Sequence, residues 1–141
     1  MSYQMLDYTI PCFILIDDNL GDLHLLEVAL KQLFPEAIIH SYESGEAFIE
    51  AWEDGNLRAL NIYSFFIDYN MPSMSGRDVL KYLNENTSLS CPKYIFSGAL
   101  LPVLKVEMLE LGAADFLEKP FDFDALIALV EMLFKHDLPA A

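Results

Sequence analysis

Three aspartates, a serine and a lysine each stand at the end of a short apolar run. Asp17 and Asp18 follow Cys12–Ile16, Asp68 follows Ile62–Ile67, Ser97 ends Tyr94–Ser97, and Lys119 lies just past Ala114–Leu117. Three carboxylates brought together repel one another unless a cation joins them. Oxygen-only ligands, with no clustered His or Cys, favour a hard cation. Mg²⁺ fits best, because it is held through one or two carboxylates and keeps several waters. A metal held that way usually holds phosphate oxygens as well. Lysine offers a point charge and serine a hydroxyl donor, which is what a phosphoryl group in transfer needs on its equatorial oxygens. One aspartate is then free to act as the nucleophile and carry that group as an aspartyl phosphate.

Such convergence requires the apolar runs to be neighbouring strands of one sheet. Cys12–Ile16 is a short apolar run broken by Asp17-Asp18-Asn19, the pattern of a buried strand. Leu20–Phe34 carries Leu23, Leu26, Leu30 and Leu33 on one helical stripe, and Pro35 closes it. Ala37–Ser41 reads as a second strand, and Ser44 caps a helix running through Trp52. The strand Ile62–Ile67 leads into a loop and a helix from Ser75 to about Glu85. Tyr94–Ser97 is a fourth strand, Pro102–Leu111 a helix stopped by Gly112, and Ala114–Leu117 a fifth strand. Asp122 caps a last helix, Phe123–Phe134. Five apolar strands alternating with five helices predict an α/β fold, a parallel sheet covered on both faces. In such a sheet ligands bind beyond the carboxyl ends of the strands, where the strand order reverses, so all five polar groups share one rim.

Composition narrows the function. The chain has 141 residues, 54% of them hydrophobic, and a formal charge of −14, with only eight Lys and Arg. That is enough for one core, and no basic patch for a phosphate backbone can be assembled. Met1–Thr9 has neither the basic start nor the apolar centre of a signal peptide, and no apolar stretch approaches membrane-spanning length. The expectation is a soluble cytoplasmic protein that binds no nucleic acid and no membrane. Cys12 and Cys91 begin strands separated by two places, roughly 10 Å at ~4.8 Å per strand, too far for a disulfide.

Four segments carry a family resemblance: Asp17-Asp18; Asp68-Tyr69-Asn70-Met71-Pro72-Ser73-Met74-Ser75-Gly76; Ser97-Gly98; and Gly112-Ala113-Ala114-Asp115-Phe116-Leu117-Glu118-Lys119-Pro120-Phe121. In this order, each at a strand end, they make the chain resemble the receiver domain of two-component response regulators, over about residues 11–136. The resemblance implies a flavodoxin-like doubly wound (βα)5 fold with strand order 2-1-3-4-5. It places the receiver at residues 10–137, between tails at 1–9 and 138–141.

It also implies roles. Asp68 is the phospho-acceptor; Asp18 binds Mg²⁺ (or Mn²⁺) directly, Asp17 mainly through water, and Asn70 through its backbone carbonyl. Ser97 and Lys119 bind the phosphoryl group, and Phe116 is an aromatic switch that swings inward when Ser97 shifts. The peptide before Pro120 is expected to be cis, aiming Lys119 into the site. The chain departs from the family in small ways. Ser75 stands where Asp is frequent and caps equally well; Ser97 replaces the commoner Thr; Phe116 lacks the hydroxyl of the frequent Tyr.

Each residue alone has an ordinary structural explanation: adjacent acids as a solvated turn, Asp68 as a turn cap, Ser97 as a loop hydroxyl, Lys119 as a surface charge. Joint placement on one rim is what favours chemistry. Gly76 and Gly112 read as a turn and a helix stop. His24, His40 and His136 lack ligand spacing.

The expectation is thus a stand-alone receiver, a switch and not an enzyme. It takes a phosphoryl group from the phosphohistidine of a histidine kinase or histidine phosphotransfer protein, and signals by protein contact or phosphorelay. The start Asp17-Asp18-Asn19-Leu20-Gly21-Asp22 is similar to that of small receivers paired with bacterial sensor kinases, phytochromes included. Leu25 and Val28 are expected to form the patch where the phosphodonor docks. Apolar residues spread around the helix Pro102–Leu111 predict that the face of the fourth helix, fifth strand and fifth helix forms a homodimer or binds a partner. The alternatives are a phosphorylation-independent scaffold, which normally lacks a site residue, and an aspartate-nucleophile small-molecule phosphatase. The second requires Asp-x-Asp after the first strand, where this chain has Asp17-Asp18-Asn19.

Overall fold

The computed structural model describes residues 10–138. Ten elements alternate: β1 (Cys12–Ile16), α1 (Leu20–Leu33), β2 (Ile38–Tyr42), α2 (Gly45–Glu53), β3 (Ile62–Asp68), α3 (Gly76–Asn86), β4 (Lys93–Ser97), α4 (Pro102–Glu110), β5 (Asp115–Glu118) and α5 (Phe123–Leu133). The strands form one parallel sheet in the order β2-β1-β3-β4-β5, as expected. The order reverses between β1 and β3, and that fixes where a ligand crevice opens.

Both faces of the sheet are covered. On one, Ile14, Ile16, Phe65, Ile67 and Ile95 pack with Phe48, Val79, Leu80 and Leu83 from α2 and α3. On the other, Phe13, Leu15 and Phe66 meet Leu23, Leu26 and Leu30 of α1 and Leu126, Val130 and Phe134 at α5. Alternate residues of each central strand serve opposite cores, which is why β1 and β3 read as unbroken apolar runs. Phe134 lies within 6.1 Å, ring centre to ring centre, of Phe13, Phe34, Tyr63, Phe66 and Tyr94, joining the last element to the first strands.

Helix starts follow capping chemistry. Asn19, Ser44, Ser75 and Asp122 accept from backbone amides three residues on. Ser75 and Asp78 complete a reciprocal capping box at α3. The fourth helix lacks a side-chain cap and begins with Pro102, and in it Met108 alone is buried. Val103, Val106 and Leu109 face outward, as the circumferential apolar pattern predicts.

Differences from the sequence reading are small and physical. β4 begins at Lys93, one residue early, because its buried ammonium donates to the carbonyls of Leu89 (2.8 Å) and Cys91 (3.2 Å) and so survives inside. Leu138, assigned to a tail, packs against the α1/α5 core. The tail at 1–9 and residues 139–141 lie outside the described residues. Cys12 and Cys91 are free thiols.

One expectation is corrected. Among the described residues no peptide bond is cis, so the bond between Lys119 and Pro120 is trans. Trans is the favoured isomer even before proline. Lys119 also needs no cis bond to reach inward, since its backbone amide donates to the Ser97 carbonyl at 2.8 Å as the β4–β5 ladder continues.

Candidate functional site

At the switch point the chain leaves β1 as Asp17-Asp18 and β3 as Asp68. Asp17 continues the ladder, its amide donating to the Tyr42 carbonyl at 3.0 Å; Tyr69 does likewise to Phe96 at 2.7 Å. The acids are therefore held by sheet backbone rather than by mobile loop. One carboxylate oxygen from each of Asp17, Asp18 and Asp68 lies within 4.8 Å of the others. Asp68 is 5% exposed. Burial, then the neighbouring Asp17 charge, pushes its carboxyl up to about 6.

Asp17 is nearly saturated by the protein. Its Oδ1 accepts from the Asn19 amide at 2.9 Å and its Oδ2 from Lys119 Nζ at 2.8 Å. Burial nonetheless outweighs those bonds and raises its carboxyl. Asp18, by contrast, is exposed and accepts none of the hydrogen bonds found among the described residues. Three close carboxylates, one raised to about 6 by burial and repulsion, fit a divalent cation, and a cation there would lower that value again.

Lys119 is half-buried above them. It donates to Asp17 Oδ2 and Asp22 Oδ2 (2.7 Å), with Asp68 Oδ1 at 3.4 Å. Burial opposes its charge, but the bonds to Asp17 and Asp22 outweigh it and hold the ammonium above the ordinary lysine range. Ser97 is buried at the end of β4, and its Oγ donates to the Ala99 carbonyl at 2.8 Å. Its hydroxyl is thus bonded within its own loop.

Phe116 is already inside, 1% exposed, and meets Tyr69 edge-on with ring centres 5.9 Å apart. The inward position assigned to the switch is the one this structure holds. Asn70 follows Asp68 in the exposed loop after β3. That loop turns at Ser73, whose φ of 71° is unusual for a residue with a side chain, and Ser73 Oγ donates to Glu46 Oε2 at 2.7 Å. The exposed Phe121 (98%) and Leu25 line a cavity that Asp17, Asp22 and Lys119 also line, on the α1/α5 side of the site.

Sequence reasoning brought together Asp17, Asp18, Asp68 and Lys119, and the geometry unites them. It gave Asp22 no role, although this acid makes the shorter of the two Lys119 bonds. The available signal was a third acid one helical turn beyond Asp18, which is equally the signature of an acid favoured at a helix N-terminus.

A doubly wound α/β domain with an acidic, cation-type site at its switch point is what fold and geometry define. The chain belongs to the response regulator receiver domain family, whose description matches residues 13–131. Among curated relatives, the transcriptional regulatory protein FixJ of Bradyrhizobium diazoefficiens is 35% identical over 100 residues, covering 71% of this chain and 46% of that protein. The cell cycle response regulator CtrA of Brucella ovis is 31% identical over 123 residues, 87% of this chain and 50% of that one. The chain thus spans about half the length of the curated relatives it matches, and they lend no support to a stand-alone arrangement.

Solved structures agree on the fold. The receiver domain of a putative LuxO repressor from Vibrio parahaemolyticus matches with a TM-score of 0.72 and 27% identity, over 91% of this chain and 92% of that one. The phosphorylated cyanobacterial phytochrome response regulator RcpA matches with a TM-score of 0.80 at 18% identity, over 94% and 100% of the two chains. The Mn²⁺-bound form of response regulator Rcp1 gives 0.76 at 20%, over 92% and 99%. Among the described residues no helix is long and apolar enough to cross a membrane.

Proposed function

We propose that this receiver accepts a phosphoryl group on Asp68 from a phosphohistidine of a histidine kinase or histidine phosphotransfer protein. The observation that carries the reading is the buried Asp68 carboxylate, clustered with Asp17 and Asp18 and facing Lys119 at 3.4 Å. An Asp68 oxygen attacks phosphorus while the P–N bond breaks, and the bonding pair returns to the imidazole nitrogen. Mg²⁺ would be held by Asp18 and Asp68 directly and by Asp17 through water, with the Asn70 carbonyl, and when bound it supplies charge neutralisation on the phosphoryl oxygens. Lys119 and the Ser97 hydroxyl take the remaining oxygens, which requires Ser97 to leave the Ala99 carbonyl. Attack of water on phosphorus later breaks the P–O bond and returns the Asp68 carboxylate with inorganic phosphate. The domain promotes only its own modification, so it is a switch and not an enzyme acting on other molecules. Its charge of −14 favours output by protein contact or phosphorelay in the cytoplasm over contact with nucleic acid.

Incubation with Mg²⁺ and phosphoramidate should give one phosphoryl adduct by intact mass, mapping to the peptide that contains Asp68. An unmodified mass, or an adduct on another residue, overturns the proposal.

Two surfaces complete this reading. Leu25 and Val28 are exposed on α1, and Leu25 lines the cavity shared with Asp17, Asp22 and Lys119; a phosphodonor's helices would dock on this helix. Charging both, as Leu25→Glu with Val28→Glu, is expected to slow transfer from the protein donor at least tenfold while leaving phosphoramidate labelling intact; equal protein-donor rates would sink the assignment. The outward Val103, Val106 and Leu109 of α4 support self-association through α4, β5 and α5. Sedimentation with Mg²⁺ and beryllofluoride should show a dimer, and a monomer in every condition rules it out.

A further inference from the structure

Lys119 has three N–H donors. Two are committed on its α1 side, to Asp17 Oδ2 at 2.8 Å and Asp22 Oδ2 at 2.7 Å, while Asp68 Oδ1 stands 3.4 Å away. The two acids differ in what else they do. Asp17 is buried and also accepts from the Asn19 amide. Asp22 lies in the first turn of α1, with its backbone amide tied to the Asn19 side chain at 3.0 Å, and its half-exposed carboxylate reaches across to the end of β5. Lys119 is its only charged partner among the described residues. An acid at this helix position is favoured by the free amides alone, but that preference does not require the side chain to lean over the sheet edge onto a lysine.

We propose that Asp22 is a positioning residue that holds Lys119 to one side of the site, keeping Asp68 available to the metal ion, and yields the lysine to the phosphoryl oxygens once they arrive. The idea rests on the phosphoryl-acceptor reading above. Without Asp22, the freed N–H has Asp68 as its nearest remaining unshared carboxylate. The lysine then competes with the cation for that oxygen. Once a phosphoryl group is present the competition reverses, because Asp22 contends with the phosphoryl oxygens for the same ammonium. The exposure of the Asp22 carboxylate keeps the pair weak enough to exchange.

Asp22→Asn keeps the shape and the helix start but removes the charge. It should weaken Mg²⁺ binding, measured by calorimetry without any phosphodonor, by about threefold, the scale of one half-exposed ion pair. At saturating Mg²⁺ it should tighten beryllofluoride binding by a similar factor, about threefold. Asp22→Glu should restore both. A loosened helix start would weaken both ligands together, so opposite signs separate positioning from folding. The decisive control is the same substitution in a Lys119→Met background: the Mg²⁺ effect should vanish there if it acts through the lysine. An undiminished effect marks a general change of charge and overturns the inference. If wild type binds Mg²⁺ and beryllofluoride and Asp22→Asn alters neither, this inference fails alone; if wild type binds neither, the phosphoryl-acceptor reading fails first.

Discussion

Asp68→Asn should abolish the phosphoryl adduct and at the same time stabilise the metal-free protein at neutral pH. The carboxylate is buried among like charges, which is why its carboxyl is pushed up to about 6. In the unfolded chain it would ionise near its ordinary value of about 4. Between those values the folded state holds the proton more tightly than the unfolded one. The contribution of Asp68 to stability therefore falls as pH rises from about 4 to about 6, and the full cost remains above that window. On the order of 3 kcal/mol is at stake for a shift of this size, at about 1.4 kcal/mol per unit. Asn fills the same volume without the charge, so the variant should exceed wild type by about that amount at pH 7.5 and match it near pH 4. Mg²⁺ should close the gap by stabilising wild type far more than the variant. Urea unfolding at the two pH values, with and without Mg²⁺, measures all four states. A variant no more stable than wild type at pH 7.5 in the absence of metal would contradict the electrostatic account of the site.

Gly76→Ala should be the most damaging single-methyl change near the site. A Cβ there would stand 2.6 Å from the Asp68 carbonyl oxygen and 2.9 Å from Tyr69 Cα. Both are backbone atoms of the β3 end, where Gly76 N also donates to the Tyr69 carbonyl at 2.9 Å. Neither can step aside without moving the residue that carries the carboxylate. Helix propensity alone would favour Ala by about 1 kcal/mol, so the sign rests on the clash. A net loss of about 2 kcal/mol or more is expected, together with weaker Mg²⁺ binding as Asp68 shifts. Gly98 offers the comparison: nothing lies within 4 Å of its added Cβ, and Gly98→Ala should stay within about 0.5 kcal/mol of wild type. Equal thermal midpoints for the two variants would refute the close-approach argument.

Gly76 also marks the limit of what one-dimensional pattern could reveal. It reads as a turn glycine, yet its backbone has no left-handed φ, and what it provides is space for β3. Lys93 shows the same limit. A lysine opening an apolar run looks like the residue before a strand, but two carbonyls from the preceding turn satisfy it inside. Asp22 could be seen only as an acid in a helix start, because its partner lies 97 residues away. Family likeness implies a cis peptide before Pro120, whereas the fold brings Lys119 to Asp17 and Asp22 with that bond trans.

By itself the sequence determined the alternation of five strands and five helices, since each apolar run and capping residue acts through near neighbours. It also determined that Asp17, Asp18, Asp68, Ser97 and Lys119 share one rim, because parallel strands all end on the same side. Tertiary structure alone decided how those charges pair. Lys119 turns toward Asp17 and Asp22 more closely than toward Asp68, and Ser97 bonds within its own loop. The reason is physical: spacing fixes which side chains meet, whereas the hydrogen bonds they choose depend on burial and on competing partners a few tenths of an ångström apart.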